Sequence, residues 1–259
     1  EGRDGAEPIA ATRHPRGTDV DFGALSRALT DVLTGRGGEV RLSHEVRTLR
    51  FDGSEWVVKG RQGTSRFQLR AKFVFVGAGG RALTLLQRAK APAVRGYGVL
   101  PVGAAFYRCG DPDVVARHDG KVYGQAEVGA PPMSVPHLDR RRIEGAEYLM
   151  FGPYATFSTR LLKSGSLTDF FRTLRWHNLH VLTAAGVQNL SLVRYLVGQL
   201  LARPRTKFTQ LRRYYPTADP AQWELIKAGQ RAQLVTPDPK RVGVLQTGTE
   251  LVVDYDGTL

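Results

Sequence analysis

The sequence predicts an α/β fold that continues into an α+β region built on antiparallel strands, and three features carry that expectation. A near-continuous apolar run at residues 72–76 enters the glycine cluster of residues 77–80 and then a helical stretch, the pattern of a buried strand, a tight turn and a helix. The short segments ahead of it are separated by Asp52-Gly53 and Gln62-Gly63, dipeptides that mark turns between antiparallel strands. Beyond Gly98 alternating segments return, followed by a run of helical stretches.

In chain order, residues 1–18 are polar and Gly-rich without periodicity and read as a linker. Asp21 can cap a helix whose Phe22, Leu25, Leu29, Val32 and Leu33 recur at three- and four-residue intervals, and Gly35, Gly37 and Gly38 stop it. Such an amphipathic helix is expected to pack on a neighbour. A short segment at 39–42 precedes a meander at 46–51, 55–60 and 66–69, then the apolar run and a helix at 82–89. This is the order of the second half of a two-part dinucleotide-binding domain, whose first half would precede Glu1.

Segments at 99–107, 122–128, 134–138 and 147–151 predict a second, largely antiparallel sheet for a substrate region. Helices are expected at 167–173, 179–185, 190–202 and 205–215, punctuated by Gly186, Pro204 and Pro216. Strands at 230–235, 244–247 and 251–255 close the chain. The implied organisation is a linker at 1–18, a partial cofactor domain at 19–97, a substrate domain at 98–235 and returning strands at 236–259. With a start at Glu1 rather than Met, and a stop at Leu259 just after an expected strand and turn, neither end is expected to be a natural terminus.

Composition narrows the function classes. Forty-two per cent hydrophobic and 24% charged residues describe a cored globular chain. One cysteine, Cys109, excludes an internal disulfide framework and a Cys-based metal cluster, and favours a reducing compartment. No apolar run reaches membrane-spanning length, so membrane association would be peripheral. The net charge of +13 attracts anionic lipid, nucleic acid or acidic small molecules without choosing among them. A basic lipid- or nucleic-acid-binding module is therefore a reading from a different class; eleven Phe and three Trp in a buried-strand pattern favour a cored enzyme domain.

Four segments could carry chemistry. FVFVGAGG, residues 73–80, brings bare backbone toward a planar or phosphorylated ligand, or forms a tight structural turn; a true GxGxxG fingerprint is absent. GAPPMSVPHLD, residues 129–139, sets His137 on an apolar strand, where it is either a proton acceptor near neutral pH or a satisfied core histidine. Asp139, Arg141 and Arg142 follow, and an arginine fork suits a carboxylate. FGPYATFSTRLLKSGS, residues 151–166, mixes aromatics with Arg160 and Lys163 as a pocket wall with an anion-binding rim, or as packing. AGQRAQLV, residues 228–235, puts Arg231 inside an alternating strand, where burial would demand an anion or a salt bridge. The six histidines have no convincing metal-ligand spacing.

Read together, TDVDFGAL (18–25), HEV (44–46), FVFVGAGG, KVY (121–123), GAPPMSVPHLD, FGPY (151–154), AGQR (228–231) and VLQTGTE (244–250) resemble the malate:quinone oxidoreductase family in order and spacing, over the middle half of a member. The resemblance implies a glutathione-reductase-like FAD/NAD(P)-binding fold, present in part, with an antiparallel-sheet substrate domain. It further implies non-covalent FAD and oxidation of malate to oxaloacetate, with a membrane quinone as acceptor. It places Val46 on the adenine side of the cofactor and Gly77, Ala78, Gly79 and Gly80 where backbone approaches the flavin. On that analogy His137 is the expected base, and Arg141, Lys163 and Arg231 the cations that clamp the two carboxylates. The implied partners are malate, a quinone and an anionic membrane surface at the inner face of the cytoplasmic membrane, with no nucleic acid; the piece alone is not expected to turn over. Arg81, Ala232, Thr247 and Arg140 depart from the family pattern, and Arg81 beside the glycines matters most. A related 2-hydroxyacid oxidase or dehydrogenase acting on, for example, 2-hydroxyglutarate is the alternative within the class.

Overall fold

The computed structural model describes residues 10–125 and 135–259, so the first half of the linker expected at 1–18, the whole GAPPMS stretch and the end of the strand expected at 122–128 lie outside the described residues. The chain forms two compact units, each assembled from three separated stretches. One comprises Glu1–Val40, Ala104–Thr156 and Arg194–Ala228; the other comprises Arg41–Gly103, Phe157–Val193 and Gly229–Leu259. Mixed helices and antiparallel strands make up both, as the sequence led us to expect.

The first unit opens with α1 (Phe22–Gly35), capped by Asp21, whose carboxylate accepts from Ala24 N at 3.0 Å and from Glu144 N at 3.0 Å. Those backbone donors hold the Asp21 carboxyl below its usual value. The helix is amphipathic but not packed: Phe22, Leu25, Leu29, Val32 and Leu33 are all exposed, which corrects the expectation of a covered face. The periodicity fixes a helix, but a covered stripe also needs an opposing surface, and none of the described residues supplies one.

The unit's sheet contains β5 (Lys121–Tyr123), β6 (His137–Ile143) and β7 (Ala146–Thr156), paired antiparallel in that order. They belong to a sheet ordered β5-β6-β7-β4-β8-β9, with β4 (Gly98–Cys109), β8 (Glu224–Asp238) and β9 (Val242–Leu245), the last paired antiparallel with β8. A turn-length helix, α3 (Pro112–Val115), starts on the Asp111 cap. The helix α6 (Pro204–Tyr214) follows α5 (Leu190–Leu201) and closes the core through tyrosines. Tyr154, fully buried, donates to the Lys207 carbonyl at 2.8 Å, Tyr107 to the Pro204 carbonyl at 3.0 Å and Tyr214 to the Pro136 carbonyl at 3.0 Å. Each ring buries its apolar body in the cluster of Leu138, Leu149, Phe151 and Leu211 while its hydroxyl satisfies a carbonyl.

The second unit contains the expected meander, β1 (His44–Phe51), β2 (Trp56–Gln62) and β3 (Ser65–Ala71), in that order and antiparallel. Asp52 turns the first hairpin by accepting from Ser54 N and Glu55 N. Trp56, with no exposed surface, anchors the unit: its indole donates to Thr258 Oγ1 at 3.2 Å and it packs edge-on to Tyr255 at 4.9 Å. The apolar run at 72–76 is not a strand. Phe73 and Phe75 are exposed, Val74 and Val76 half-buried, and the run's backbone bond outside regular elements is Val74 N to the Thr258 carbonyl. A central strand needs ladders on its edges, and among the described residues none flanks this one.

The glycines then lead through a 3-10 turn at Gly79–Arg81 into α2 (Ala82–Arg88). The helix α4 (Trp176–Gln188) is set by buried Asn178, which accepts from Arg175 N and donates to the Tyr97 and Thr173 carbonyls, each at 2.9 Å. The stretch 167–173 is a turn ending in a single 3-10 turn rather than a helix, and 39–42 and 251–255 form no strand.

Candidate functional site

Strand alternation builds the first site. His137, Asp139 and Arg141 lie at i, i+2 and i+4 of β6 and so project from one face. Register places Tyr123 of β5 directly across from His137, and Lys121 across from Asp139. Lys121 Nζ stands 3.1 Å from one Asp139 oxygen and His137 Nδ1 3.1 Å from the other. Asp139 is 1% exposed, and neither of its oxygens has a directed hydrogen bond among the described residues, so close ionic contact is what compensates its burial.

Burial by itself would raise the Asp139 carboxyl; His137 and Lys121 override it and hold the value below the ordinary one. Burial likewise opposes the charge on Lys121, but Tyr123 and Asp139 raise its value on balance. His118, just after α3, feels the same cluster: its burial lowers its value, and the Leu138 backbone, Asp119 and Asp139 only partly offset that. The His137 ring meets Tyr123 at 4.9 Å and Phe106 at 5.9 Å, and its side chain keeps 15% of its surface. With Nδ1 turned to a carboxylate, Nε2 is the nitrogen left to exchange a proton. Asp139, Lys121 and His118 are the polar neighbours of this cluster that the sequence reading did not bring together. The readable signal was the His-x-Asp alternation on a strand.

Arg141 shares that face but sits at the far end, with Asp139 between it and His137, and its guanidinium contacts Asp19 at 3.2 Å. Lys163 is exposed in a turn of the second unit. Arg231 lies on β8 but is exposed and reaches the Thr247 carbonyl at 3.4 Å, so the buried environment considered for it is corrected: on this alternating strand it takes the outward phase.

The second site, wholly within the second unit, is a cavity of about 310 Å³ lined by His44, Glu45 and Val46 from β1, by Ala78 and Arg81 from the glycine turn, and by Asp169, among others. Two of the expected cofactor residues, Val46 and Ala78, therefore meet in one cavity. Arg81 crosses it to Glu45 Oε1 at 3.2 Å and to the buried Asp169 at 3.6 Å. Arg47 first, and Arg81 with it, draw the Glu45 carboxyl below its usual value against the opposing effect of burial.

The four turn positions are not equivalent. A Cβ on Gly80 would run into the Leu161 carbonyl, so that glycine serves close backbone packing. Gly79 holds φ +53°, which only glycine adopts freely, and Gly77 and Gly79 are both exposed. A Cβ on Gly77 would meet nothing nearer than the Phe75 ring at 3.4 Å, leaving bare backbone facing open space. Ala78 and the cations Arg81, Arg88 and Arg172 line the cavity together with the carboxylates of Glu45 and Asp169, so an anionic group entering it would compete with those carboxylates for Arg81.

The whole chain, residues 1–259, matches the family model described as malate:quinone oxidoreductase. Among curated relatives, a probable malate:quinone oxidoreductase of Kocuria rhizophila is 52% identical over 98% of this chain and 52% of its own length. Proteins of the same description from Micrococcus luteus and from Neisseria meningitidis serogroup C are 48% and 46% identical over 100% of this chain, and over 53% and 54% of their own lengths. The chain thus spans about half the length of the relatives it matches. It also resembles the solved flavin-dependent monooxygenase PieE in complex with FAD and substrate, at 14% identity and a TM-score of 0.38, over 83% of this chain and 31% of that one.

Proposed function

Because this chain belongs to the malate:quinone oxidoreductase family, we propose that it contributes the proton-accepting part of the substrate site and part of the FAD site to an enzyme that oxidises (S)-malate to oxaloacetate and delivers the electrons to a membrane quinone in the tricarboxylic acid cycle. The supporting observation is His137 held against buried Asp139 at 3.1 Å. FAD, when bound, would supply the acceptor for the hydride of the hydroxyl-bearing carbon of malate and the carrier of its two electrons to the quinone. Val46, Ala78 and the open backbone of Gly77 and Gly79 would hold it, while Gly80 secures the turn by packing on Leu161.

The chain's own part in the oxidation is the proton. As hydride leaves the carbon, the hydroxyl proton passes to Nε2 of His137 and the carbonyl of oxaloacetate forms. The imidazolium that results is stabilised by the Asp139 carboxylate at Nδ1, and Lys121 keeps that carboxylate ionised. Arg141, Lys163 and Arg231 are assigned to the two malate carboxylates; Lys163 and Arg231 are exposed and open to solvent-borne anions, whereas half-buried Arg141 must exchange Asp19 for substrate. The reaction belongs at the inner face of the cytoplasmic membrane, where its acceptor dissolves.

The test is an absorbance spectrum of the full-length protein, followed by malate. A flavin spectrum that bleaches on malate addition is expected, and His137→Gln should slow the bleaching by roughly a hundredfold or more. Absence of a flavin, or failure of malate to bleach it, removes the malate reading; an unchanged rate in His137→Gln removes the base assignment.

A further inference from the structure

In α5, Leu190, Val193, Val197, Leu200 and Leu201 follow one another at intervals of three, four, three and one residues, which confines them to roughly 100° of the helix circumference. All five are exposed, Leu201 to 78%, and no residue of α5 is buried. Leu192, Tyr195, Leu196 and Gln199, on the other side, are half-buried, so the helix is seated along one face and bare along the opposite one.

Charge distinguishes this stripe from the one on α1. Residues 170–218 contain no Asp or Glu and eight Lys or Arg, and Arg194, Arg203 and Arg205, at the stripe's edge and just past its end, are exposed. The apolar face of α1 is edged instead by Asp19, Asp21, Asp31 and Glu39 together with Arg27 and Arg36, a mixed surface that complements neither sign. An exposed leucine–valine stripe whose flanking charges in the sequence are basic, with Arg194, Arg203 and Arg205 exposed beside it, matches a lipid surface carrying negative headgroups, with acyl chains for the leucines and phosphates for the guanidiniums.

We propose that α5 is an in-plane membrane anchor, its apolar stripe sunk to the headgroup–acyl boundary of an anionic bilayer and its arginines on the phosphates. Twelve residues extend about 18 Å, and no helix among the described residues is long and apolar enough to cross a membrane, so α5 lies on the bilayer rather than through it. The inference rests on the quinone reading, because a lipid-dissolved acceptor is reached only by an enzyme held at that surface.

Flotation of the full-length protein with mixed phosphatidylcholine–phosphatidylglycerol vesicles tests it, with pure phosphatidylcholine as the comparison. The unaltered protein should float with the anionic vesicles. The double variants Val197→Glu/Leu201→Glu and Arg203→Glu/Arg205→Glu should each lower vesicle binding by roughly tenfold or more. Both should lose reduction of a quinone dissolved in the vesicles while keeping malate-driven reduction of a water-soluble dye and an unchanged melting temperature. Variants that float like the unaltered protein overturn the anchor. So does an unaltered protein that stays with the aqueous phase, its α5 being covered by other parts of the protein or by a second copy. Binding that depends on α5 in a protein without malate-driven dye reduction upholds the anchor and removes the malate reading instead.

Discussion

The strand that carries His137 and the turn that carries Gly77 to Gly80 hold their chemistry in opposite ways. On β6 the ionisable group is sealed in: Asp139 is 1% exposed, and its two close partners, the His137 ring and the Lys121 ammonium, come from its own strand and from the strand paired with it. At the glycine turn the approach is open, Gly77 and Gly79 face solvent, and the nearby cation Arg81 is more than a third exposed. A cluster made from adjacent strands completes itself wherever the hairpin forms, because register alone sets every partner. A turn at the end of a run that has no flanking strand among the described residues offers shape and bare backbone but little that is fixed by neighbours.

Breaking the sealed cluster should have the largest effect. Asp139→Ala strips Lys121 of its counter-charge and His137 Nδ1 of its partner, and is expected to cost about 3 kcal/mol in chemical denaturation of the full-length protein. A loss under about 1 kcal/mol would show that water reaches the cluster and serves Lys121 and His137 in place of the carboxylate. At the turn the two kinds of glycine should separate. Gly80→Ala forces a methyl into the Leu161 carbonyl and should cost about 2 kcal/mol, while Gly77→Ala should leave stability within about 0.5 kcal/mol and act on flavin content instead. Equal destabilisation by both would mean that the turn is uniformly structural.

Acid should act on the sealed region in two stages. His118 has a folded value below its ordinary 6.5, so the unfolded chain binds the proton more readily and stability falls as pH drops below that value. Asp139 is also depressed, from an ordinary 3.8, so the stability it contributes is complete above that pH and is lost as pH falls through its folded value. Melting temperatures measured from neutral pH downward should show the first decline disappear in His118→Phe. A small effect is also expected at Arg81: replacement by Ala removes partly solvated contacts to Glu45 and Asp169 and should cost no more than about 1 kcal/mol in a thermal melt.

What the sequence determined by itself was local. The Asp21 cap and heptad-like spacing define α1, Asp52-Gly53 and Gln62-Gly63 define the hairpins of the meander, and Pro204 and Pro216 bracket α6; each follows from backbone preferences within a few residues. Family membership was equally legible, since eight short blocks in register carry it. Tertiary structure decided how the polar groups were paired. The sequence put His137 and Asp139 two residues apart, but only the β5–β6 register brought Lys121 onto the same carboxylate, and only packing separated Gly80, pressed on Leu161, from Gly77 in the open. Burial was decided there as well. Arg231 and the run at 72–76 read as buried from their apolar neighbours and prove exposed or half-exposed, because apolar pattern states which face could be covered, whereas coverage depends on what the rest of the fold places against it.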